Sequence, residues 1–122
     1  GYGLATFDEI DSTNAEARRR AAAGESGPLW IMAARQSAGR GRRGRVWISP
    51  PGNLAATLLL RPGRPSAECA QLSFVAAIAS ADMIAAHTGD VTVKWPNDVL
   101  AGGRKIAGIL LEAETAQGMA TP

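Results

Sequence analysis

The chain has little of the chemistry on which several protein classes depend. Its 122 residues include one cysteine, one histidine and six aromatic side chains. Cys69 has no partner for an internal disulfide, and with His87 alone it cannot build a Cys/His zinc cluster. No run of about 18 uncharged apolar residues occurs, so the sequence predicts no membrane span. The low cysteine content fits a reducing compartment, and we expect a cytoplasmic location.

The composition is otherwise that of a globular domain, with one unusual distribution of charge. Hydrophobic residues make up 46% of the chain, enough for the packed core of a single domain. Residues 35–45 contain five arginines and no acidic residue, whereas the net charge of the whole chain is +2. Such a local concentration of positive charge indicates a specific anionic ligand rather than general attraction to polyanions.

The order of helix and strand patterns predicts an α+β fold. Strands are predicted over residues 2–7, 29–34, 54–60, 91–95 and 105–112, with short β-prone stretches at 46–48 and 99–100. One helix is predicted over 15–23, after the capping side chains of 11–14. A second is predicted over 66–87, where apolar side chains on nearly all sides indicate a buried helix. Residues 114–122 look like a fading tail. We expect a mixed or antiparallel sheet with helices packed on it.

The glycines of the arginine-rich segment match the G-x-G-x-x-G spacing of a dinucleotide-binding turn. That turn works only when a helix follows, because the N-terminus of the helix holds the pyrophosphate. Here Arg45 leads into the β-prone residues 46–48 and then into two prolines. The Gly-Lys-Ser/Thr ending of an ATP-binding P-loop is also missing. We therefore predict a loop without a following helix.

The arginines of this loop are suited to binding carboxylate or phosphate. A guanidinium group donates paired, planar hydrogen bonds to these anions and stays charged at any workable pH. The intervening glycines let the backbone approach an anion closely. A plain solvated loop or a nucleic-acid contact remains open from the loop alone. Against nucleic acid, only Trp47 lies nearby to stack on a base.

Two further segments carry groups that could serve a ligand. The first is Lys94-Trp95-Pro96-Asn97-Asp98, for which a plain β-turn is the simpler interpretation when the segment is taken alone. We expect Lys105 to lie close to Asp98 across a hairpin, and Gly108 marks a point where a ligand could approach a strand. The second is Ser12-Thr13-Asn14, in which one side chain is expected to cap the helix. Gln36, at a strand end, could serve a ligand or a loop backbone.

Together and in this order, these segments resemble the biotin–protein ligases. The resemblance rests on Asp-Ser-Thr-Asn at 11–14, Gln36, Gly-Arg-Gly-Arg-Arg-Gly-Arg at 39–45 with Trp47, Lys-Trp-Pro-Asn-Asp at 94–98 and Arg-Lys-Ile-Ala-Gly-Ile-Leu at 104–110. It implies a fold like that of class II aminoacyl-tRNA synthetases and biotin ligases, here incomplete. Residues 1–122 would be a catalytic domain truncated on its C-terminal side, with no DNA-binding domain and no C-terminal barrel. The lipoate–protein ligases share the fold, but the arginine-rich loop is not expected in them.

The resemblance also implies roles for individual residues. Those implied to bind biotin are Ser12, Thr13, Asn14, Gln36, Gly39, Arg40, Gly41, Arg42, Lys105 and Gly108. Those implied to bind ATP are Arg40, Arg42, Arg43, Arg45, Trp47, Lys94, Asn97, Asp98 and Lys105. The catalytic groups would be Arg40, Arg42 and Lys105. Mg²⁺ would accompany ATP near Asn97 and Asp98.

The function implied is activation of biotin by ATP to biotinyl-5′-AMP, followed by transfer of biotin to a lysine of a biotin carboxyl carrier protein. Two alternatives remain open: a fragment that binds biotin or nucleotide without full turnover, and a nucleic-acid-binding domain that uses the loop. With the ligase function we expect neither a nucleic acid nor a membrane as partner. A sheet edge left exposed in so short a chain would favour a homodimer.

Overall fold

The structure, a computed structural model, describes residues 1–116 and 119–121. Its elements in chain order are β1 (Gly3–Ile10), α1 (Thr13–Ala22), β2 (Leu29–Gln36), β3 (Ala55–Leu59), α2 (Ser66–Cys69), α3 (Leu72–Ala85), β4 (Val91–Lys94), β5 (Asp98–Ala101), β6 (Arg104–Gly108), β7 (Glu114–Ala116) and β8 (Met119–Thr121). The predicted α+β class is confirmed. The described strands form three small sheets, β1-β2-β3, β4-β5-β6 and β7-β8, rather than one. The chain divides into two compact units, residues 1–66 with 112–122, and residues 67–111.

In the first unit, a parallel strand pair determines where the polar residues gather. β1 runs parallel to β2, with Ile10 opposite Gln36, and β3 pairs antiparallel with β2. Because the two strands are parallel, their carboxyl ends lie at the same edge of the sheet. The segment that follows Ile10 and the side chain of Gln36 are therefore neighbours, although 26 positions separate Ile10 and Gln36 in the sequence.

Helix α1 covers one face of this sheet and starts where the sequence predicts. The Ser12 hydroxyl accepts a hydrogen bond of 3.1 Å from the Ala15 amide, so Ser12 is the capping residue. Gly24, just past the helix, has a φ of 95°, the left-handed conformation expected of a helix terminus. The buried core combines residues of the helix and the sheet: Ala17, Leu29, Ile31 and Leu59, with Phe7 and Ala21 packed against them.

The second unit places α2 and α3 beside the antiparallel meander β4-β5-β6. Helix α3 contacts β4 and β5, and Val99 and Ala77 are fully buried. The rings of Phe74 and Trp95 are stacked, with centroids 4.2 Å apart. The glycine pair between β5 and β6 forms the predicted hairpin turn, with positive φ at both residues.

The prediction of one long, buried helix over 66–87 is wrong. The helix is interrupted between Cys69 and Leu72, and α3 ends at Ala85. Along α3, Val75, Ile78 and Met83 remain 60%, 57% and 55% exposed. A helix that lies on one sheet buries only the face toward that sheet. Because α3 has apolar side chains on every face, those on its other faces stay exposed among the described residues.

The stretch Ser66–Ala85 nevertheless passes a length and hydropathy test for a membrane-spanning helix, although the sequence predicts no membrane span. It is 20 residues long and contains an 18-residue window with a mean hydropathy of 1.3, so by length and composition it could cross a membrane. The criterion is weak, because the core helix of a globular protein passes it too. The continuous helix α3 has 14 residues, a length of about 21 Å at ~1.5 Å per residue, against a hydrocarbon thickness of ~30 Å. The absence of a membrane span stays a prediction.

Several other boundaries differ from those predicted; β1 continues to Ile10 instead of ending at 7, and β2 continues to Gln36 instead of ending at 34. Residues 46–48 form no strand, and only isolated bridges join Arg40 to Val46 and Gln36 to Ser49. Strand β6 ends at Gly108 instead of 112, because its partner strand β5 begins at Asp98; one further hydrogen bond, from the Ile109 amide to the Asn97 carbonyl oxygen, continues the same register. The predicted tail contains the paired strands β7 and β8, while residues 117, 118 and 122 lie outside the described part.

Two glycines near the end of α1 provide a test of this packing. Gly24 and Gly27 both have positive φ, but a Cβ on Gly27 would lie 2.6 Å from the Leu59 carbonyl oxygen, whereas one on Gly24 would meet nothing within 4 Å. We expect Gly24→Ala to cost about 1–2 kcal/mol, the price of a left-handed non-glycine residue. Gly27→Ala should cost on the order of 1–3 kcal/mol more, because the β3 backbone must also move. Urea unfolding measures both, and equal losses would contradict the described contact between Gly27 and β3.

Candidate functional site

The start of α1 and the end of β2 are joined by one amide side chain. The Gln36 side-chain oxygen accepts hydrogen bonds from the Thr13 amide at 2.8 Å and from the Thr13 hydroxyl at 3.1 Å. On its other side, the Gln36 amide group donates to Ser49 Oγ at 2.9 Å. Gln36 therefore connects the residue that opens α1 to the residue where the chain returns from the arginine-rich loop.

A third element completes this polar network. Thr57, on β3, has its hydroxyl oxygen 2.8 Å from the hydroxyl of Thr13 and within hydrogen-bond distance of Asn14 Oδ1. Ser12 and Thr13 are buried, and Asn14 is half-buried. The predicted biotin-binding residues Ser12, Thr13, Asn14 and Gln36 are thus brought together, in a region where buried polar groups already have partners within the protein.

The arginine-rich loop begins against this network and closes on itself. The amides of Ser37 and Ala38 donate to the carbonyl oxygens of Ile10 and Asp11, at 2.9 and 2.8 Å. Farther along, the Gly41 amide donates to the Arg45 carbonyl at 2.7 Å, and the Trp47 amide to the Gly39 carbonyl at 2.9 Å. Both ends of the loop are therefore held by backbone hydrogen bonds.

Between these ends lies a single 3₁₀ turn, Arg42–Gly44, in which Arg43 and Gly44 have φ of 60° and 70°. No α-helix follows it, so rejection of the dinucleotide-binding turn is confirmed. The guanidinium groups of Arg42, Arg43 and Arg45 are exposed and form no ion pair with any described residue. Three like charges held in one short loop repel one another, and a bound anion would relieve that repulsion.

Arg40 differs from the other loop arginines, because it is already paired. Its two terminal nitrogens donate to the two oxygens of Glu112 at 3.1 and 2.9 Å, and the Asn14 amide donates to Glu112 at 3.0 Å. Burial raises the pKa of the Glu112 carboxyl, but the hydrogen bonds from Arg40 and Asn14 outweigh it, so the pKa lies below its usual value. Sequence reasoning gave Glu112 no role, since nothing local distinguishes an acid 72 positions from Arg40.

Asp11, quoted in the resemblance, acts at the helix N-terminus. Its carboxylate accepts from two nitrogens of Arg19, at 3.0 and 2.8 Å, and from the Ser12 amide at 2.7 Å. The hydrogen bonds from Arg19 lower the pKa of Asp11 to about 2, with the Ser12 amide contributing. Arg19 and Arg20 also pair with the carboxylate of Glu16, while their side chains remain partly exposed to solvent.

In the second unit, the Lys94–Asp98 segment is both a turn and a cluster of polar groups. Asn97 is buried; its Nδ2 donates to the Ile109 carbonyl at 2.8 Å, while its Oδ1 has no hydrogen-bond partner among the described residues. Lys105 Nζ lies 3.1 Å from Asp98 Oδ1, which confirms the predicted proximity. Lys94 and Gly108 each stand opposite Asp98 in the strand register.

These groups are compatible with the Mg²⁺ of a bound nucleotide. The described residues contain no group of three or more His, Cys, Asp or Glu side chains that could hold a metal. Mg²⁺ in nucleotide sites is commonly held by one or two carboxylates and the phosphates themselves. The carboxylate of Asp98 and the unpartnered oxygen of Asn97 supply oxygen donors of that kind, so the residues present fit the ion.

The candidate residues therefore form two sets, one in each unit. The first unit holds the polar network and the loop, with Gly39, Arg40, Gly41, Arg42, Arg43, Arg45 and Trp47. The second unit holds Lys94, Asn97, Asp98, Lys105 and Gly108.

Comparison with known proteins gives consistent results. A family model, the biotin/lipoate A/B protein ligase family, matches residues 6–120. A biotin–[acetyl-CoA-carboxylase] ligase of Paracoccus denitrificans is 55% identical over 106 residues, covering 84% of this chain and 44% of that protein. Solved structures of biotin protein ligases also match, among them two that each cover 98% of this chain. The biotin protein ligase of Leishmania major in complex with biotinyl-5-AMP has a TM-score of 0.78 at 26% identity, with 54% of that chain covered. That of Aquifex aeolicus in complex with biotin and ATP has a TM-score of 0.76 at 30% identity, with 49% covered. The chain spans about half the length of these relatives.

The base of the loop can be tested with a matched pair of glycines. A Cβ on Gly39 would lie 2.5 Å from the Trp47 carbonyl oxygen and 3.0 Å from Gln36 Nε2, whereas the nearest atom to one on Gly41 is 3.7 Å away. We expect Gly39→Ala to destabilise the chain by about 1–3 kcal/mol and Gly41→Ala by less than about 1 kcal/mol. Thermal unfolding of the two variants gives the comparison. A Gly39→Ala variant as stable as Gly41→Ala would show that the loop is not anchored on Trp47 and Gln36.

Proposed function

Because the chain belongs to the biotin/lipoate A/B protein ligase family, we propose that it carries biotin-activating machinery and acts in protein biotinylation. The observation that carries the proposal is the position of the cationic loop, which starts and ends on the hydrogen-bonded network of Thr13, Gln36 and Ser49. A neutral polar network beside a concentration of positive charge suits a ligand with a polar, uncharged head and a carboxylate.

Biotin is such a ligand. Its ureido ring offers a carbonyl acceptor and two N–H donors, which Ser12, Thr13, Asn14 and Gln36 could meet by exchanging existing hydrogen bonds. We assign its carboxylate to the loop, where the backbone of Gly39 and Gly41 and the guanidinium group of Arg40 are available. Lys105 and Gly108 complete the proposed biotin-binding set.

The proposed reaction joins two anions. A carboxylate oxygen of biotin attacks the α-phosphorus of ATP, an O–P bond forms, and the bond to the bridging oxygen breaks so that pyrophosphate leaves. Repulsion between carboxylate and phosphate opposes this step, and fixed cations offset the repulsion. We assign that task to Arg40, Arg42 and Lys105. Arg43 and Arg45 add positive charge to the loop.

The nucleotide is assigned to Trp47, Lys94, Asn97 and Asp98 together with these cations. Mg²⁺, when bound with ATP, would neutralise phosphate charge, and Asn97 and Asp98 are the residues proposed to hold it. The aromatic ring of Trp47 is half-covered and flat, which suits packing against adenine. The ion pair with Asp98, at 3.1 Å, holds the Lys105 amine next to the proposed Mg²⁺ ligands.

The second proposed step is transfer to a protein. The product of the first step is a mixed anhydride, which water hydrolyses, and a loop ordered over it would exclude water. The uncharged amine of an acceptor lysine then attacks the acyl carbon; a C–N bond forms, AMP leaves, and the amine loses a proton. No nucleophile of this chain takes part. We propose a biotin carboxyl carrier protein as acceptor.

A cytoplasmic location, a homodimer and assignment of residues 1–122 to one part of a catalytic domain stay predictions of the same proposal. The two alternative functions, binding without turnover and nucleic-acid binding, make different predictions. A nucleic-acid-binding loop would show a steep fall of affinity with salt, whereas the described residues beside the loop offer few aromatic rings for stacking.

The experiment is mass spectrometry of the chain incubated with biotin, ATP and Mg²⁺, with a pyrophosphate assay in parallel and calorimetry of biotin binding. Formation of biotinyl-5′-AMP supports the proposal. Biotin binding without pyrophosphate release supports the fragment that binds without turnover. Tight oligonucleotide binding with no response to biotin would replace the proposal with nucleic-acid binding.

Within that assay, removal of one cation should slow activation sharply. We expect Arg42→Ala and Lys105→Ala each to lower the rate of pyrophosphate release by about 100-fold, since each removes a fixed positive charge proposed to lie beside the reacting anions. The matched controls are Arg35→Ala and Arg104→Ala, which remove the same charge from exposed positions outside the proposed site. Arg42→Ala turning over like Arg35→Ala would remove the loop from the mechanism, and Lys105→Ala matching Arg104→Ala would do the same for Lys105.

A further inference from the structure

Glu112 stands out among the described acidic residues, because three side chains from the loop and from α1 converge on it. Arg40 comes from the loop, Asn14 from the start of α1, and Arg18 from one turn later on the same helix. The Glu112 side chain is 24% exposed, so these contacts lie partly out of water, where charge-assisted hydrogen bonds are stronger. Because Arg40 and Asn14 are 72 and 98 positions from Glu112 in the sequence, no local sequence pattern predicts that they meet.

The carboxylate of Glu112 is fully used by these partners. One oxygen accepts from Asn14 Nδ2 at 3.0 Å and from Arg40 at 2.9 Å; the other accepts from Arg40 at 3.1 Å and lies 3.8 Å from Arg18 Nη1. A carboxylate has about four lone-pair positions; three of them accept hydrogen bonds from Asn14 and Arg40, and Arg18 adds a longer ion-pair contact. Glu112 is therefore an internal anchor rather than a free acid.

The guanidinium group of Arg40 is only partly used. Of its five N–H donors, Glu112 engages two through the terminal nitrogens, and the Arg40 side chain makes no other hydrogen bond or ion pair with a described residue. Paired hydrogen bonds fix the plane of the group as well as its position. The remaining N–H donors, including Nε–H, are held in a set direction and stay available to a second anion.

We propose that Glu112 is a positioning residue that fixes Arg40 beside Asn14, so that the free edge of its guanidinium group receives the carboxylate of the substrate. The inference rests on the proposed function for the identity of that substrate. It assigns Glu112 to no chemical step. Because Arg40 is already ordered before the substrate binds, the entropy cost of ordering it on binding is reduced. The other arginines of the loop are exposed and unpaired.

The opposite role makes a different prediction. If Glu112 instead competed with the substrate for Arg40, removing its charge would strengthen binding. If Glu112 only stabilised the fold, its removal would weaken all ligands alike. Positioning of Arg40 acts on the substrate carboxylate alone, so biotin and biotinamide, which lacks that charge, separate the three roles.

The test compares Glu112→Gln with Glu114→Gln by calorimetry of both ligands in the full chain. Glu114→Gln removes a carboxylate two positions away that pairs with Arg18 rather than with Arg40. We expect Glu112→Gln to weaken biotin binding about tenfold and biotinamide binding much less, since biotinamide shares only the contact to Asn14, with Glu114→Gln close to the parent for both. In an Arg40→Ala background, Glu112→Gln should have no further effect on biotin.

Three results would overturn the inference: tighter biotin binding by Glu112→Gln, equal weakening of biotin and biotinamide, or no change in either. A parent chain that binds neither ligand contradicts the proposed function instead. Whether Glu112 fixes the Arg40 side chain is then tested without ligand, by NMR of the arginine side chains. In the parent chain, rotation of the Arg40 guanidinium group should be slower than rotation of the Arg42 guanidinium group. In Glu112→Gln, the two rates should be equal. Equal rates in the parent chain would show that Glu112 does not fix Arg40.

Discussion

The hydrogen bonds of Gln36 are the constraint on which the first unit depends. A loop carrying several arginines repels itself, and the apolar side chains at its return, Val46, Trp47 and Ile48, are exposed, so by itself it would not hold one conformation. Gln36 holds the start of α1 through Thr13 and the return of the loop through Ser49. The parallel pairing of β1 and β2 makes this possible, since it brings the α1 N-terminus to the end of β2. The local charge is thereby placed beside a neutral polar network.

The sequence was sufficient for features that rest on local chemistry. The cap and end of α1 follow from Ser12 and Gly24, because capping needs only neighbouring residues. The absence of a helix after the loop follows from the β-prone residues and the prolines beyond Arg45. The approach of Lys105 to Asp98 follows from a glycine turn of known geometry. Each of these depends on fewer than about ten consecutive residues.

Features that depend on distant residues could not be predicted in this way. The role of Glu112 requires residues 14, 40 and 112 to meet, and no local pattern encodes that meeting. The helix over 66–87 was predicted to be buried because its apolar side chains point in all directions, yet burial depends on how many partners surround it. The end of β6 likewise depends on where its partner strand β5 begins, which is known only from the folded structure. Assignment of biotin as ligand came from the order of several motifs, none of which is specific alone.

The central claim is that the cationic loop becomes ordered around an anion pair. Amide hydrogen exchange of residues 39–46, with and without a hydrolysis-resistant analogue of biotinyl-AMP, tests it most directly. The account predicts slower exchange across the loop, greatest near the 3₁₀ turn, while the amides of α1 change little. Unchanged exchange in the loop under saturating analogue would contradict it.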